Sequence, residues 1–167
     1  RGALDVQSKE GEGTTVTVFL PASLAVTSPQ PIPRKHLPTG SENILVVDDE
    51  QAVVTVLERS LRALGYHIAA HTSPVEALAD FKQQPGRFDL VLTDKTMPKM
   101  NGFALAHAIR AIRPDIPILM ATGLADSEDA ALVKKTGINA LVSKPLNRSD
   151  LARQIRAVLE GTVPQQP

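Results

Sequence analysis

The chain has 167 residues, enough for one ordinary domain with additional segments, and 43% of them are apolar. Only 3% are aromatic, so a core must be built from Ala, Val, Leu and Ile, which suits a buried sheet covered by helices. The 18 basic and 18 acidic residues balance, Cys is absent, and no apolar run approaches the ~20 residues of a membrane span. These features argue against a polyanion-binding surface and exclude disulfides and thiolate metal sites. They predict no nucleic-acid partner and no membrane contact for this stretch, and they suit a reducing cytoplasm. The sequence opens Arg-Gly-Ala without Met, which predicts a piece of a longer polypeptide.

Residues 1–21 predict a hairpin. Leu4 and Val6 alternate on one face of a first strand, and Val16, Val18 and Leu20 on one face of a second. Gly11 and Gly13 supply the turn between them. Residues 22–42 predict an extended linker, since five of the 13 prolines (Pro21, Pro29, Pro31, Pro33 and Pro38) fall in or beside them with no hydrophobic period. From Asn43 to residue 161, strand and helix patterns alternate. "NILVVDD" is an apolar run ending in acids, followed by a helix over 50–64 with Val54, Leu57, Leu61 and Leu64 at helical spacing and Gly65 closing it. "YHIAAH" is a weaker strand, and Ser73-Pro74 opens a helix to residue 83. "FDLVLTD" precedes a helix over 102–112, and "IPILMAT" precedes one from Asp126 to Thr136. "NALVSK" precedes the last, over 148–160, and residues 162–167 form a flexible tail. Five strand–helix units with apolar strands predict an α/β fold, a flavodoxin-like doubly wound parallel sheet of strand order 2-1-3-4-5. Its site should lie at the carboxyl ends of the strands, where the first and third diverge.

Those ends carry the chemistry. The first strand ends in Asp48-Asp49-Glu50, the third in Asp94, the fourth in Thr122 and the fifth in Lys144-Pro145. One cleft therefore gathers three or more carboxylates, a hydroxyl and an ammonium. Clustered carboxylates repel, and a hard divalent cation such as Mg²⁺ relieves the conflict with oxygen ligation. Aspartate is a covalent nucleophile toward phosphoryl groups, and such transfer needs positioning and charge stabilisation above all. Each residue taken alone has a plainer role: Asp48-Asp49 as helix-capping acids, Lys144 as a surface lysine.

The segments "ILVVDDE", "DLVLTDKTMPKMNG", "ILMATG" and "ALVSKP" resemble, in order and spacing, the signatures of response-regulator receiver domains. The resemblance covers residues 43–161. It implies Asp94 as phosphoacceptor, Asp48 and Asp49 as Mg²⁺ acids, the Thr96 backbone carbonyl as a further ligand beside Asp94, and Thr122 with Lys144 as the groups that hold the phosphoryl oxygens. It also implies a cis peptide before Pro145 and a phosphohistidine-bearing kinase or phosphotransfer domain as partner. The family often has an aromatic three residues before the lysine; here that position is Leu141, which puts the aromatic output switch in doubt. "GALDVQSKEGEGTTVTVFLP" resembles the end of a histidine-kinase ATP-binding domain, without its ATP-lid motifs. Hairpin, linker and receiver in this order imply the end of a hybrid sensor histidine kinase.

Two other classes share parts of the pattern. A haloacid-dehalogenase-type phosphatase needs a second acid two residues after the nucleophile, where this chain has Thr96. An FMN-binding flavodoxin-like module needs a hydroxyl- and glycine-rich phosphate loop after the first strand, where this chain has Asp48-Asp49-Glu50. His36, His67, His71 and His107 show no ligand spacing.

Overall fold

The computed structural model describes residues 2–22, 37–123, 133 and 136–162. Most of the expected helix 126–136, of which only residues 133 and 136 are described and are helical, most of the linker and the tail beyond residue 162 lie outside the described residues. Two units are present, residues 1–35 and residues 36–167.

In the first unit, β1 (Ala3–Lys9) and β2 (Gly13–Phe19) pair antiparallel, with Leu4 opposite Val18 and Val6 opposite Val16. Gly11 and Gly13 adopt positive φ in the turn. Every residue of both strands is exposed, so the aligned apolar pairs have no cover among the described residues.

In the second unit, β3 (Asn43–Val47), β4 (His67–His71), β5 (Leu90–Asp94), β6 (Ile118–Thr122) and β7 (Ala140–Ser143) form one sheet. Its order is β4-β3-β5-β6-β7, all pairs parallel, which is the expected 2-1-3-4-5 arrangement. Among the described residues, the longer helices are α1 (Gln51–Arg62), α2 (Pro74–Gln83), α3 (Gly102–Ile112) and α4 (Arg148–Leu159). Ser73 caps α2 by accepting the Glu76 amide, and Pro74 stands in its first turn.

Alternate strand residues face opposite ways, and both faces are covered. Ile44, Val46, Leu90, Leu92 and Leu119 pack with Leu57 and Leu61 of α1 and Leu151, Ile155 and Val158 of α4. Leu45, Val47, Val91, Ile118 and Met120 pack with Phe81 of α2 and Leu105, Ala106 and Ile109 of α3. Burial on both faces explains why the strands are continuously apolar and do not alternate. Because β3 feeds a helix on one face and β5 a helix on the other, the chain opens a crevice between their carboxyl ends.

Residues 37–42, assigned to the linker by their composition, pack against the second unit. Leu37 lies against the first of these cores. The Gly40 amide donates to the Leu64 carbonyl at 3.1 Å, and the His67 amide donates to the Glu42 carbonyl at 3.0 Å. Glu42 Oε1 lies 2.5 Å from Arg156 Nη1 on α4. Proline and glycine content hides this strap from sequence patterning, because beyond Leu37 its contacts are mainly backbone hydrogen bonds and an ion pair.

Burial pushes the Glu42 carboxyl up, but the hydrogen bond and charge of Arg156 outweigh it and hold the group below its ordinary 4.5. A carboxylate depressed in the folded state adds stability above its unfolded pKa, and that stability fades as pH falls through the folded value. Glu42→Gln should therefore cost about 1 kcal/mol at pH 7, a drop of about 3 °C in Tm. Thermal melts of both proteins should converge as pH falls well below 4.5; a gap that persists in acid would show that packing, and not charge, holds the strap.

Candidate functional site

The carboxyl ends of β3, β5, β6 and β7 bring Asp48, Asp94, Thr122 and Lys144 together. Asp48 is 1% exposed and Asp94 7%, so both carboxylates lie out of bulk water. Such burial is costly without a counter-charge. Lys144 Nζ supplies it: it lies 2.9 Å from Asp48 Oδ2 and 2.8 Å from Asp94 Oδ1. The second oxygen of each acid is also satisfied. Asp48 Oδ1 accepts the Glu50 amide at 3.0 Å, and Asp94 Oδ2 accepts the Thr96 amide at 2.9 Å. Burial lowers the tendency of Lys144 to stay protonated, yet the hydrogen bonds and charges of Asp94 and Asp48 win, and its pKa is raised above 10.5.

Asp48 is thus no helix cap. The N-cap of α1 is Glu50, whose side chain makes no capping bond, while Asp48 points inward to the ammonium. Asp49 and Glu50 are exposed at the rim of the cleft. Thr122 is 2% exposed, and its carbonyl accepts the Lys144 amide at 2.8 Å, which ties the ends of β6 and β7 together. Thr96 meets Asp94 through its amide. Among the described residues, no three carboxylates or imidazoles converge as one ligand set as the side chains stand. The Lys144–Pro145 bond is cis. Leu141, in place of an aromatic, packs partly buried against the core of α2 and α3.

The loop from β5 to α3 folds back over Asp94. The Gly102 amide donates to the Lys95 carbonyl at 2.9 Å, and the Met100 amide to the Pro98 carbonyl at 2.8 Å. Between the latter two, Lys99 holds φ +67°, the conformation of a tight γ-turn that non-glycine residues seldom adopt. Asn101 then caps α3 by accepting the Ala104 amide at 2.9 Å.

Beside the cleft lies an apolar groove of about 300 Å³, lined by Ala52, Val53, Val56, Leu57, Lys144, Pro145 and Leu146. Val56 is 61% exposed there. Sequence periodicity assigned α1 a single apolar face through Val54, Leu57 and Leu61. The signal for a second stripe was Ala52, Val53 and Val56, three to four residues apart.

A buried carboxylate at the mouth of a crevice, with an ammonium and a hydroxyl-bearing residue at its side, suits capture of a small anionic group. Residues 44–156 match the response regulator receiver domain, and the chain belongs to that family. It is a receiver domain of the two-component type. A sensor kinase, CckA of Brucella abortus, is 30% identical over 168 residues, covering 95% of this chain and 18% of the kinase. The chain spans less than half the length of the first curated relatives it matches. Chemotaxis protein CheY4 of Vibrio cholerae superposes with a TM-score of 0.68 at 29% identity, over 71% of this chain and 99% of that one. The receiver domain of sensor histidine kinase PA1611 of Pseudomonas aeruginosa gives 0.65 at 28% identity, over 72% and 99%, and holds a magnesium ion in its active-site cleft.

Gly102 is a sharp test of how the loop fixes Asp94. A Cβ there would stand 2.2 Å from the Asp94 carbonyl oxygen and 2.9 Å from Met120 Cε. At an ordinary helix start, Gly→Ala stabilises by about 0.4–1 kcal/mol. Here the clash should reverse the sign, and Gly102→Ala should cost about 1–3 kcal/mol in a urea melt. A gain in stability would mean that the loop is not clamped.

Proposed function

We propose that Asp94 accepts a phosphoryl group from a phosphohistidine and then releases it or passes it on. The observation that carries this is the Lys144 ammonium held between two buried carboxylates at the sheet switch point. An Asp94 oxygen forms the new bond to phosphorus. The P–N bond to the donor imidazole breaks, and its electron pair returns to the ring nitrogen. Lys144 then exchanges Asp94 Oδ1 for a phosphoryl oxygen, and the Thr122 hydroxyl donates to another.

The donor set suits Mg²⁺: carboxylates of Asp48, Asp49 and Asp94 with the Thr96 carbonyl offer hard oxygens, and a cation is already required where Lys144 sits. Bound there, Mg²⁺ would neutralise charge on the transferred group. Asp48 lies buried and fixed by the Glu50 amide, whereas the exposed Asp49 is free to turn inward. Thr96 supplies no acid two residues after Asp94, which disfavours turnover of an external phosphoester.

The apolar groove beside Lys144 gives the donor a place to rest. A helix bearing the phosphohistidine, laid along α1 and Leu146, would bring its imidazole to the cleft mouth. The kinase relative aligns over 95% of this chain, more than the receiver portion alone. That supports reading residues 1–21 as the end of a kinase ATP-binding domain, residues 22–42 as its connection and residues 43–161 as the receiver of a hybrid sensor kinase. The exposed Leu4–Val18 and Val6–Val16 pairs would then face the rest of that domain. Such a phosphorelay works in the cytoplasm, whether or not the parent kinase is membrane-anchored.

Acetyl phosphate with Mg²⁺ should add one phosphoryl group, read by intact mass, and Asp94→Asn should abolish it. Labelling of that variant at the parent rate would overturn the acceptor assignment. Val56→Gln should leave acetyl phosphate labelling unchanged but slow transfer from a phosphohistidine domain several-fold. Equal slowing with both donors would place Val56 in the fold and not in docking.

A further inference from the structure

The strap of residues 37–42 crosses the amino ends of the strands, the edge opposite Asp94. It is fitted closely. A Cβ on Gly40 would stand 2.1 Å from Glu42 Oε2 and 2.4 Å from Tyr66 Cε1, and one on Gly65 would stand 2.4 Å from the Gly40 carbonyl oxygen. Gly65 also holds φ +99°. Two glycines facing one another let the strap lie against the turn between α1 and β4. Glu42 is anchored at both ends, its carbonyl by the His67 amide and its carboxylate by Arg156.

Arg156 has a second carboxylate within reach. Its Nε lies 3.3 Å from Glu160 Oε1, one turn further along α4. The guanidinium can therefore let go of Glu42 and stay paired. Release gives up the Glu42 pair and keeps the Glu160 pair already formed, so no charge is stranded and two states of the contact are accessible. Glu42 itself, once freed, swings toward solvent with Ser41.

The other end of the same helix belongs to the site. The N-cap of α4 is Asn147, whose side chain accepts the Asp150 amide, and it follows Lys144 by three residues through Pro145 and Leu146. A 12-residue helix is about 18 Å long and moves as a unit. One stiff element thus begins beside the ammonium that touches Asp94 and ends at the guanidinium that holds the strap.

We infer that the Arg156–Glu42 pair is a latch through which the phosphoryl state of Asp94 controls the strap that joins this domain to the preceding chain. The inference rests on Asp94 being the acceptor. When Lys144 leaves Asp94 Oδ1 for a phosphoryl oxygen, the Pro145–Asn147 loop is drawn with it and α4 shifts along its axis. Arg156 then favours Glu160, and residues 37–42 come away from the turn between α1 and β4. Six released residues add up to about 20 Å of reach to the connection with the preceding segment. Phosphorylation would in this way lengthen the tether of the domain that carries the phosphoryl group, which changes the effective concentration at which it meets a partner on the same polypeptide.

The test is amide hydrogen exchange on the 167-residue chain, with and without beryllium fluoride and Mg²⁺. The amides of Gly40 and His67 report the strap, and those of Thr96 and Lys144 report the site. The expected result is faster exchange at Gly40 and His67, by threefold or more, when the mimic is bound. In Arg156→Gln and in Glu42→Gln, both amides should exchange fast in either condition. Because coupling is reciprocal, both variants should also bind the mimic more tightly, by the same factor that the mimic speeds strap opening. If the site amides respond and the strap amides do not, the latch is wrong and the acceptor assignment stands. If neither pair responds, both fail.

Discussion

Everything at the working edge of this domain depends on one ammonium placed between two carboxylates. Asp48 and Asp94 are almost fully buried, and two negative charges in that position would be expelled or neutralised without a partner. Lys144 joins them at 2.9 and 2.8 Å and supplies the counter-charge inside the fold. The three groups come from β3, β5 and β7, so the contact also stitches the middle of the sheet to its last strand. A backbone amide completes each carboxylate, from Glu50 on one side and Thr96 on the other. In the proposed transfer this same arrangement is the one that changes, with Lys144 exchanging Asp94 for a phosphoryl oxygen.

The surrounding fold serves to hold that arrangement still. Among the described residues, the buried polar side chains between the apolar layers are Asp48, Thr93, Asp94 and Thr122, at the strand ends. The loop over Asp94 is pinned by Gly102 against the Asp94 carbonyl and by the turn at Lys99. The positive φ of Lys99 is local strain in the loop that follows Asp94, held there by the surrounding structure. The opposite edge is closed by the strap, through contacts that involve α4 and the turn after α1.

The sheet and the candidate site were legible in the sequence for a physical reason. A parallel sheet buried on both faces leaves strands as unbroken apolar runs, and the charged residue that ends each run is then conspicuous. Asp48, Asp94, Thr122 and Lys144 stand at such ends. What periodicity could not show was geometry between distant segments. The bridging role of Lys144 spans 96 residues to Asp48. The strap was hidden because Leu37 to Glu42 contains Pro38 and Gly40 and has no hydrophobic period, although its backbone is hydrogen-bonded to residues 64 and 67. The exposed stripe on α1 was masked by the stronger buried face of the same helix. The hairpin pattern was legible, and its apolar side is uncovered among the described residues.

The most direct measurement is a crystal structure with beryllium fluoride and Mg²⁺. The expected result is a fluoride adduct on Asp94, with Lys144 Nζ moved off Asp94 Oδ1 and within hydrogen-bond distance of a fluorine, and with Asp48 ligating the metal. An adduct on any other residue, or an adduct on Asp94 with Lys144 still bridging the two carboxylates, would contradict it.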